Sequence, residues 1–138
     1  MKRIVTLALL LLAASCAEPA PAADDPPAHL VLQDTHWVMV LDGAREDARA
    51  PTLEFAEQAR AGGFSGCNQW FAQVDQSNGG LRFGAIGMTR RACPEPAMTL
   101  EHEFGALLGE VRSAQREDDE LVLIGENAQP LARFTPAP

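Results

Sequence analysis

The chain has 138 residues, 46% of them hydrophobic, and a formal net charge of −8. These values fit one globular domain and exclude a disordered chain or a second core of ordinary size. Only Lys2 is a lysine among the 11 basic residues. A mature chain without its first residues therefore has no Schiff-base lysine, Ser-Lys dyad or P-loop lysine. The acidic balance also argues against nucleic-acid binding, because phosphate neutralisation supplies most of that affinity.

The first 15 residues predict a signal peptide. Lys2 and Arg3 form a positive n-region, and residues 4–12 form an apolar run of nine residues. As a helix this run spans roughly 14 Å, which is less than half of a hydrocarbon core of about 30 Å. It is too short for a membrane anchor and has the organisation of a secretory signal.

Two alanines and a serine immediately precede Cys16. This ending resembles the lipobox of bacterial lipoproteins, in which the cysteine is diacylated and becomes the new N-terminus. Lipidation is therefore predicted at Cys16, and tri-acylation would make the anchor firm, since one chain alone binds a membrane only marginally. Ala17 stands where an aspartate would resemble an inner-membrane retention signal, so we expect the outer membrane, with the domain facing the periplasm. The alternative is ordinary cleavage at a nearby Ala-x-Ala, which would leave a soluble protein.

Residues 16–29 are predicted to be a lipidated tether. Four prolines lie between Ala17 and Ala28, among alanines and acidic residues. Low hydrophobicity and spaced prolines favour an extended segment outside any core. At about 3.1 Å per residue, this stretch would reach about 37 Å. We expect the folded domain over residues 30–138.

Most of that domain has the sequence pattern of β-strands. Alternating or β-rich segments predict strands at residues 36–41, 52–55, 69–74, 81–83, 120–124 and 130–134. The pair Gly62 and Gly63 is interpreted as a break before Phe64, and residues 77–80 as a hairpin turn.

The segment from Leu100 to Val111 has the hydrophobic period of a helix and not that of a strand. Its apolar side chains recur at the 3–4 residue spacing of an amphipathic helix, at Leu100, Phe104, Leu107, Leu108 and Val111. Thr99 is predicted to be the N-cap. The order of elements predicts an α+β fold, a strongly curved antiparallel β-sheet (an open or cracked barrel) packed on one α-helix.

The sequence offers no complete catalytic or metal-binding pattern. A serine-hydrolase elbow at Ser65 would need glycine two positions later, where Cys67 stands. The three histidines, His29, His36 and His102, lack metal-ligand spacing. We therefore expect no enzyme activity, no metal and no cofactor.

Aromatic residues on the predicted strands have two interpretations. Trp37, Trp70 and Phe71 could line a ligand groove. Aromatic side chains on strands are more often part of a core, and that interpretation is favoured here.

The three cysteines make an odd number, and lipidation of Cys16 leaves Cys67 and Cys93 as a pair. An oxidising compartment allows a disulfide to persist. The 25 residues between the two differ from a redox-active Cys-x-x-Cys, and a metal site would need more ligands than the histidines supply. A structural disulfide is the favoured interpretation, and free, reactive thiols are the alternative.

Several motifs occur in an order that resembles one family. They are Thr35-x-Trp37, Leu53-x-Phe55, Ser65-Gly66-Cys67-Asn68, Leu81-x-Phe83-x-x-Ile86-x-x-Thr89-x-x-x-Cys93, Glu103-x-x-x-x-Leu108 and Leu121-x-Leu123. Over residues 34–135 the chain resembles a META domain, the family of the heat-inducible HslJ-type envelope lipoproteins. The resemblance implies a small curved β-sheet domain, often carried by bacterial lipoproteins and linked to envelope stress. It implies no catalytic residues.

Two classes of function follow from these expectations. The first is a non-enzymatic outer-membrane lipoprotein that acts as a binding or scaffold module in envelope integrity or stress response, with an unknown envelope protein partner. The second is a carrier or binder of a small apolar ligand, held between the sheet and the helix.

Overall fold

The computed structural model describes residues 30–43 and 48–138. The predicted signal peptide (1–15) and the tether with Cys16 (16–29) lie outside the described residues. Within the described part, nine strands and one α-helix form. They are β1 (Thr35–Met39), β2 (Thr52–Ala56), β3 (Arg60–Phe64), β4 (Gln69–Asp75), β5 (Arg82–Phe83), β6 (Gly87–Met88), α1 (Ala97–Glu110), β7 (Ser113–Glu117), β8 (Glu120–Ile124) and β9 (Pro130–Pro136).

The strands form one antiparallel sheet in the order β5-β4-β3-β2-β1-β9-β8-β7, with β6 paired to the other end of β4. Val38 in β1 lies opposite Thr52 of β2 and Thr135 of β9, so the first and last strands meet in the middle of the sheet. The sheet is curved and does not close. Together with α1, this architecture confirms the predicted α+β fold.

The strand β4 shows how the sequence pattern produces the two faces of the sheet. Trp70, Ala72 and Val74 are buried, and the residues between them are exposed. This period of two follows from the pleat, which points successive side chains to opposite faces. The prediction of a strand here is confirmed.

The helix α1 packs on the sheet through Leu100, Phe104 and Leu108, which recur every four residues and are buried. It begins at Ala97, so the prediction of Thr99 as N-cap is wrong. Pro96 occupies the N-cap position, and the carboxylate of Glu95 accepts a hydrogen bond from Thr99 N at 3.1 Å. A proline is tolerated at a helix start because the N–H that it lacks would have no partner within the helix.

The glycine pair predicted to break the chain lies instead inside β3. Gly62 pairs with Glu54 of β2 and Phe71 of β4, and Gly63 pairs with Trp70. Gly63 has a φ of +145°, and a Cβ there would lie 2.3 Å from the Thr52 carbonyl oxygen. Glycine is therefore needed for the close approach of the backbones, and it does not end the strand.

Aromatic rings connect the helix to the inner face of the sheet. The Trp70 ring lies edge-on to Phe104 of α1 at 5.7 Å and to Phe83 at 5.8 Å between centroids. Such edge-to-face pairs add to the free energy gained from burial. Trp37 and Trp70 belong to the core as predicted, whereas Phe71 is 62% exposed. No helix within residues 30–43 and 48–138 is long and apolar enough to cross a membrane.

Candidate functional site

The sequence Ser65-Gly66-Cys67-Asn68 forms the turn between β3 and β4. Its two polar side chains are buried, with Ser65 0% and Asn68 4% exposed. The turn is closed by a hydrogen bond from Ser65 N to the Asn68 carbonyl at 2.8 Å. Buried polar groups cost free energy unless they are hydrogen-bonded, so the partners of these residues decide whether the turn is stable.

The Asn68 side chain uses all of its hydrogen-bonding capacity. Its Nδ2 donates to the Arg91 carbonyl and to Glu101 Oε1, each at 3.0 Å. Its Oδ1 accepts from Thr89 Oγ1 at 3.0 Å and from Arg91 N at 2.8 Å. A primary amide offers two donors and two acceptor positions, so both ends are saturated. An exchange of the amide oxygen and nitrogen would place donors against donors, which fixes the orientation of the group.

Glu101 supplies the contact from the helix. Its Oε2 accepts from Asn68 N at 2.7 Å and from Ser65 Oγ at 2.5 Å. The Ser65 hydroxyl also lies 2.8 Å from the Asn68 carbonyl, and its single proton serves one of these two acceptors at a time. We call Ser65, Asn68, Thr89, Arg91 and Glu101 the Asn68 network.

Electrostatics keep the Glu101 carboxylate ionised at neutral pH. Burial alone would raise its pKa, but hydrogen bonds from the Ser65 hydroxyl and from Asn68 and Cys67 outweigh burial. The pKa of Glu101 is therefore below its ordinary value. An ionised acceptor makes each of these hydrogen bonds stronger than a neutral one would.

A covalent contact lies beside the network. The sulfur atoms of Cys67 and Cys93 are 2.01 Å apart and their Cα atoms 6.0 Å apart, which is disulfide geometry. The Arg91 guanidinium donates to the Cys67 carbonyl at 2.6 Å. The segment from Thr89 to Cys93, which precedes α1, is thus held to the β3–β4 turn by its backbone, its side chains and its cysteine.

The arrangement does not resemble a nucleophilic active site. Ser65 is fully buried and lies between two strands, so the strand–turn–helix geometry of a hydrolase elbow does not form. His36 on β1 and His102 on α1 are both exposed. Among the described residues, no three His, Cys, Asp or Glu side chains are grouped so that they could hold a metal ion. Cys16 and His29 lie outside the described residues.

Sequence reasoning missed the roles of Thr89, Arg91 and Glu101. One signal for Glu101 was present: it follows Leu100, the first buried residue of the helical stripe, at the border of the packed face. Its partner on a turn more than 30 residues earlier leaves no periodic trace in the sequence.

A cavity of about 410 Å³ lies between α1 and the strands β1 and β9. Its lining residues are Met39, Val40, Leu41, Asp42, Leu100, Glu103, Phe104, Leu107, Leu131, Ala132 and Arg133. We call it the helix–sheet slot. Most of its walls are apolar.

The META domain family model matches residues 30–138, the whole of the described part of the chain. The chain belongs to the META domain family. The family resemblance of the motifs is thus confirmed, and the Asn68 network is the structural form that the Ser65–Asn68 motif takes in this META domain.

Two solved structures resemble this META domain. An NMR structure of a protein from Burkholderia xenovorans is 26% identical, with a TM-score of 0.64, and the match covers 91% of this chain and 99% of that chain. A second NMR structure is 24% identical, with a TM-score of 0.58, covering 75% of this chain and 90% of that chain. None of the curated proteins matches the chain. These similarities carry no sign of catalysis.

The network predicts an acid-sensitive stability. The pKa of Glu101 is lowered in the folded state, so its ionised carboxylate adds to the free energy of unfolding above the ordinary glutamate pKa. This stabilisation is lost as the pH falls through the lowered pKa. Glu101→Gln should reduce the free energy of unfolding at pH 7 by about 2 kcal/mol, as expected for loss of hydrogen bonds to a charged group. In urea titrations between pH 7 and pH 3, the free energy of unfolding of this variant should depend less on pH than that of the wild type.

The matched control for this prediction is Glu110→Gln, which neutralises an exposed carboxylate on the same helix. This variant should lose as much stability as the wild type when the pH is lowered. Parallel pH profiles for the wild type and Glu101→Gln would contradict the assignment.

The disulfide predicts a second stability effect. Closing a loop with a sequence separation of 26 residues stabilises a domain by about 3–4 kcal/mol on the chain-entropy model. Cys67→Ala and Cys93→Ala should lower the free energy of unfolding by similar amounts. The double variant should be no less stable than either single variant, because the first substitution already removes the bond.

Thiol titration provides the direct chemical measurement. The full chain carrying Cys16→Ala, purified from the periplasm, then denatured and left unreduced, should show essentially no free thiol. Two free thiols per chain would refute the disulfide and return Cys67 to the group of reactive cysteines.

Proposed function

We propose that this META-domain chain is a lipid-anchored protein of the bacterial outer membrane, whose periplasmic domain acts by binding and not by catalysis. It serves as a binding or scaffold module in envelope integrity or stress response, and its partner is an envelope protein. The observation that favours binding over catalysis is the saturation of the Asn68 network.

The polar groups of the Asn68 network are occupied inside the protein. Asn68 uses both ends of its amide, and the Glu101 carboxylate accepts hydrogen bonds from the turn through both oxygens. A general base or nucleophile needs a position within reach of a substrate. Ser65 and Asn68 are buried, which supports a role of this motif in stabilising the fold.

The anchor is supported by the N-terminal sequence and by the cysteine pair. The apolar run before Cys16 has the length of a signal peptide, and the small residues before the cysteine resemble a lipobox. Cys67 and Cys93 at disulfide distance fit an oxidising compartment such as the periplasm. A tether of about 37 Å would let the domain work at a distance from the membrane.

A second candidate function is supported by the helix–sheet slot. A mostly apolar cavity of about 410 Å³ lies between the sheet and the helix and supports the alternative of a small-ligand binder. Small-molecule sites commonly have this character, concave and mostly apolar with a few polar groups. A carrier of a small apolar ligand would be compatible with the same anchor.

Labelling with palmitate tests the anchor. Wild-type chain expressed in a bacterial host should incorporate labelled palmitate and fractionate with the outer membrane. Cys16→Ala should lose the label and give a soluble periplasmic protein or an unprocessed precursor. Cys93→Ala is the matched control and should keep the label. Equal label in Cys16→Ala and wild type would contradict lipidation at Cys16.

Crosslinking in intact cells tests the binding role. The wild-type chain should give discrete crosslinked species that contain an envelope protein. Cys16→Ala should give fewer of them, because the domain is no longer held at the membrane. Absence of any discrete species from both strains, at equal protein levels, would contradict a scaffold function.

A further inference from the structure

The strand β7 forms one edge of the sheet. It stands last in the strand order and pairs with β8 alone. The other end of the sheet consists of β5 and β6, which have two residues each, so β7 with its five residues is the longer edge. An edge strand presents backbone N–H and C=O groups to which a further strand can pair.

The alternation of hydrogen bonds in the β7–β8 hairpin determines which groups of β7 face outward. Glu117 and Glu120 form the pair next to the two-residue turn, and this closing pair is hydrogen-bonded. Because hydrogen-bonded pairs alternate with non-hydrogen-bonded ones, Gln115 is the next residue bonded to β8. The backbone groups of Ala114 and Arg116 therefore point to the open edge. Within the described part of the chain, no other backbone group is hydrogen-bonded to them.

The charged side chains of β7 do not block this edge. Charges on edge strands commonly prevent pairing with another chain. Here the Arg116 guanidinium lies 5.2 Å from the ring centroid of Trp37, a core residue. A carboxylate oxygen of Glu117 lies 2.7 Å from Arg133 Nη1. Both charges are thus held on the faces of the sheet by groups of the same chain, and the backbone between them is left open to a further strand.

The sequence of β7 is complementary to itself in one antiparallel register. With Gln115 opposite Gln115 of a second copy, Ala114 of each copy lies opposite Arg116 of the other, and all the outward N–H and C=O groups find partners. In this register no charged residue faces a like charge. Either adjacent hydrogen-bonding register would place Arg116 opposite Arg112 or opposite Arg116 of the second copy, which is destabilising.

We propose that β7 is a homodimer interface, at which two copies pair their β7 strands antiparallel about a two-fold axis at Gln115. A two-fold contact uses the same surface of both copies, so it requires the self-complementarity that β7 has. The contact is short, and the dimer is therefore weak and in equilibrium with the monomer. The proposal goes beyond the binding role proposed above and needs neither the lipid on Cys16 nor a different protein partner.

Sedimentation equilibrium tests the dimer, with the full chain carrying Cys16→Ala in its soluble periplasmic form. Its average mass should rise from that of a monomer towards that of a dimer as the concentration increases. Ala114→Pro on this background removes an outward N–H from each copy and leaves the bonds to β8 in place, and proline is tolerated on edge strands for this reason. Dimerisation should weaken by about tenfold or more, because the symmetry removes a hydrogen bond at both ends of the interface. Ala114→Thr is the matched control, which keeps the N–H and should still form the dimer.

Disulfide trapping tests the register. Gln115→Cys on the same background places two cysteines opposite each other at the axis. The Cα atoms of such a non-hydrogen-bonded pair lie about 4.5 Å apart, which permits a disulfide. Mild oxidation should therefore give a covalent dimer, and adding Ala114→Pro should reduce its yield. Gln73→Cys is the matched control, because it replaces an exposed glutamine on β4 and should give little covalent dimer.

Each contrary outcome overturns a stated part of the proposal. A mass that stays monomeric at every concentration would refute the interface. Dimerisation undiminished by a folded proline variant would place the contact elsewhere, and Arg116→Pro, which removes the other outward N–H, replaces Ala114→Pro if thermal unfolding shows that the latter does not fold. No covalent dimer from Gln115→Cys, or as much from Gln73→Cys, would refute the register. Since palmitate labelling does not involve β7, these failures are distinguishable from failure of the proposed anchor.

Discussion

The fold of this META domain depends on one buried amide. A primary amide without partners would cost several kcal/mol in an apolar interior, so Asn68 is stable only where four groups converge on it. Those groups come from the Thr89–Arg91 segment and from the helix residue Glu101. The requirement of one side chain therefore brings together three parts of the chain that are distant in sequence. A buried polar network in which every group has its hydrogen-bond partners favours one conformation of the chain over the others.

Other contacts strengthen the same junction. The disulfide joins the turn to Cys93, and Arg91 donates to the Cys67 carbonyl. On the core side, the Trp70 ring contacts Phe104. Polar contacts thus fix the first turns of α1, and aromatic packing fixes its middle. The helix–sheet slot lies between the Leu107 side of this helix and β9.

Sequence periodicity predicted the parts of the fold that burial controls. β4 and β8 have clear alternating or continuous apolar patterns, and both were placed within one residue of their observed bounds. The strand β7 was missed because Ser113–Glu117 carries Ala114 as its sole hydrophobic residue. It is held by five register pairs with β8 and by Arg116, whose guanidinium lies 5.2 Å from the Trp37 ring centroid. The pairs belong to the β7–β8 hairpin, and the ring contact joins β7 to a strand distant in sequence; the hydrophobic pattern of residues 113–117 reports neither.

The candidate site was predictable only in part. The motif from Ser65 to Asn68 and the cysteine pair were visible as residues, but the acceptor Glu101 lies 33 positions after Asn68. β3 was misinterpreted for a related reason. Gly62 and Gly63 usually mark turns, yet here they permit close backbone approach to Thr52 and Trp70. In both cases the physical constraint arises only when the strands and the helix are assembled.

A double-mutant cycle between Asn68 and Glu101 tests the central claim most directly. The free energy of unfolding is measured at pH 7 for the wild type, Asn68→Ala, Glu101→Gln and the double variant. A control cycle uses the exposed neighbours Gln69→Ala and Glu110→Gln. The account predicts a coupling of about 1 kcal/mol or more between Asn68 and Glu101 and additive effects in the control. Additive effects of Asn68→Ala and Glu101→Gln would show that the two residues act independently, which would contradict the account.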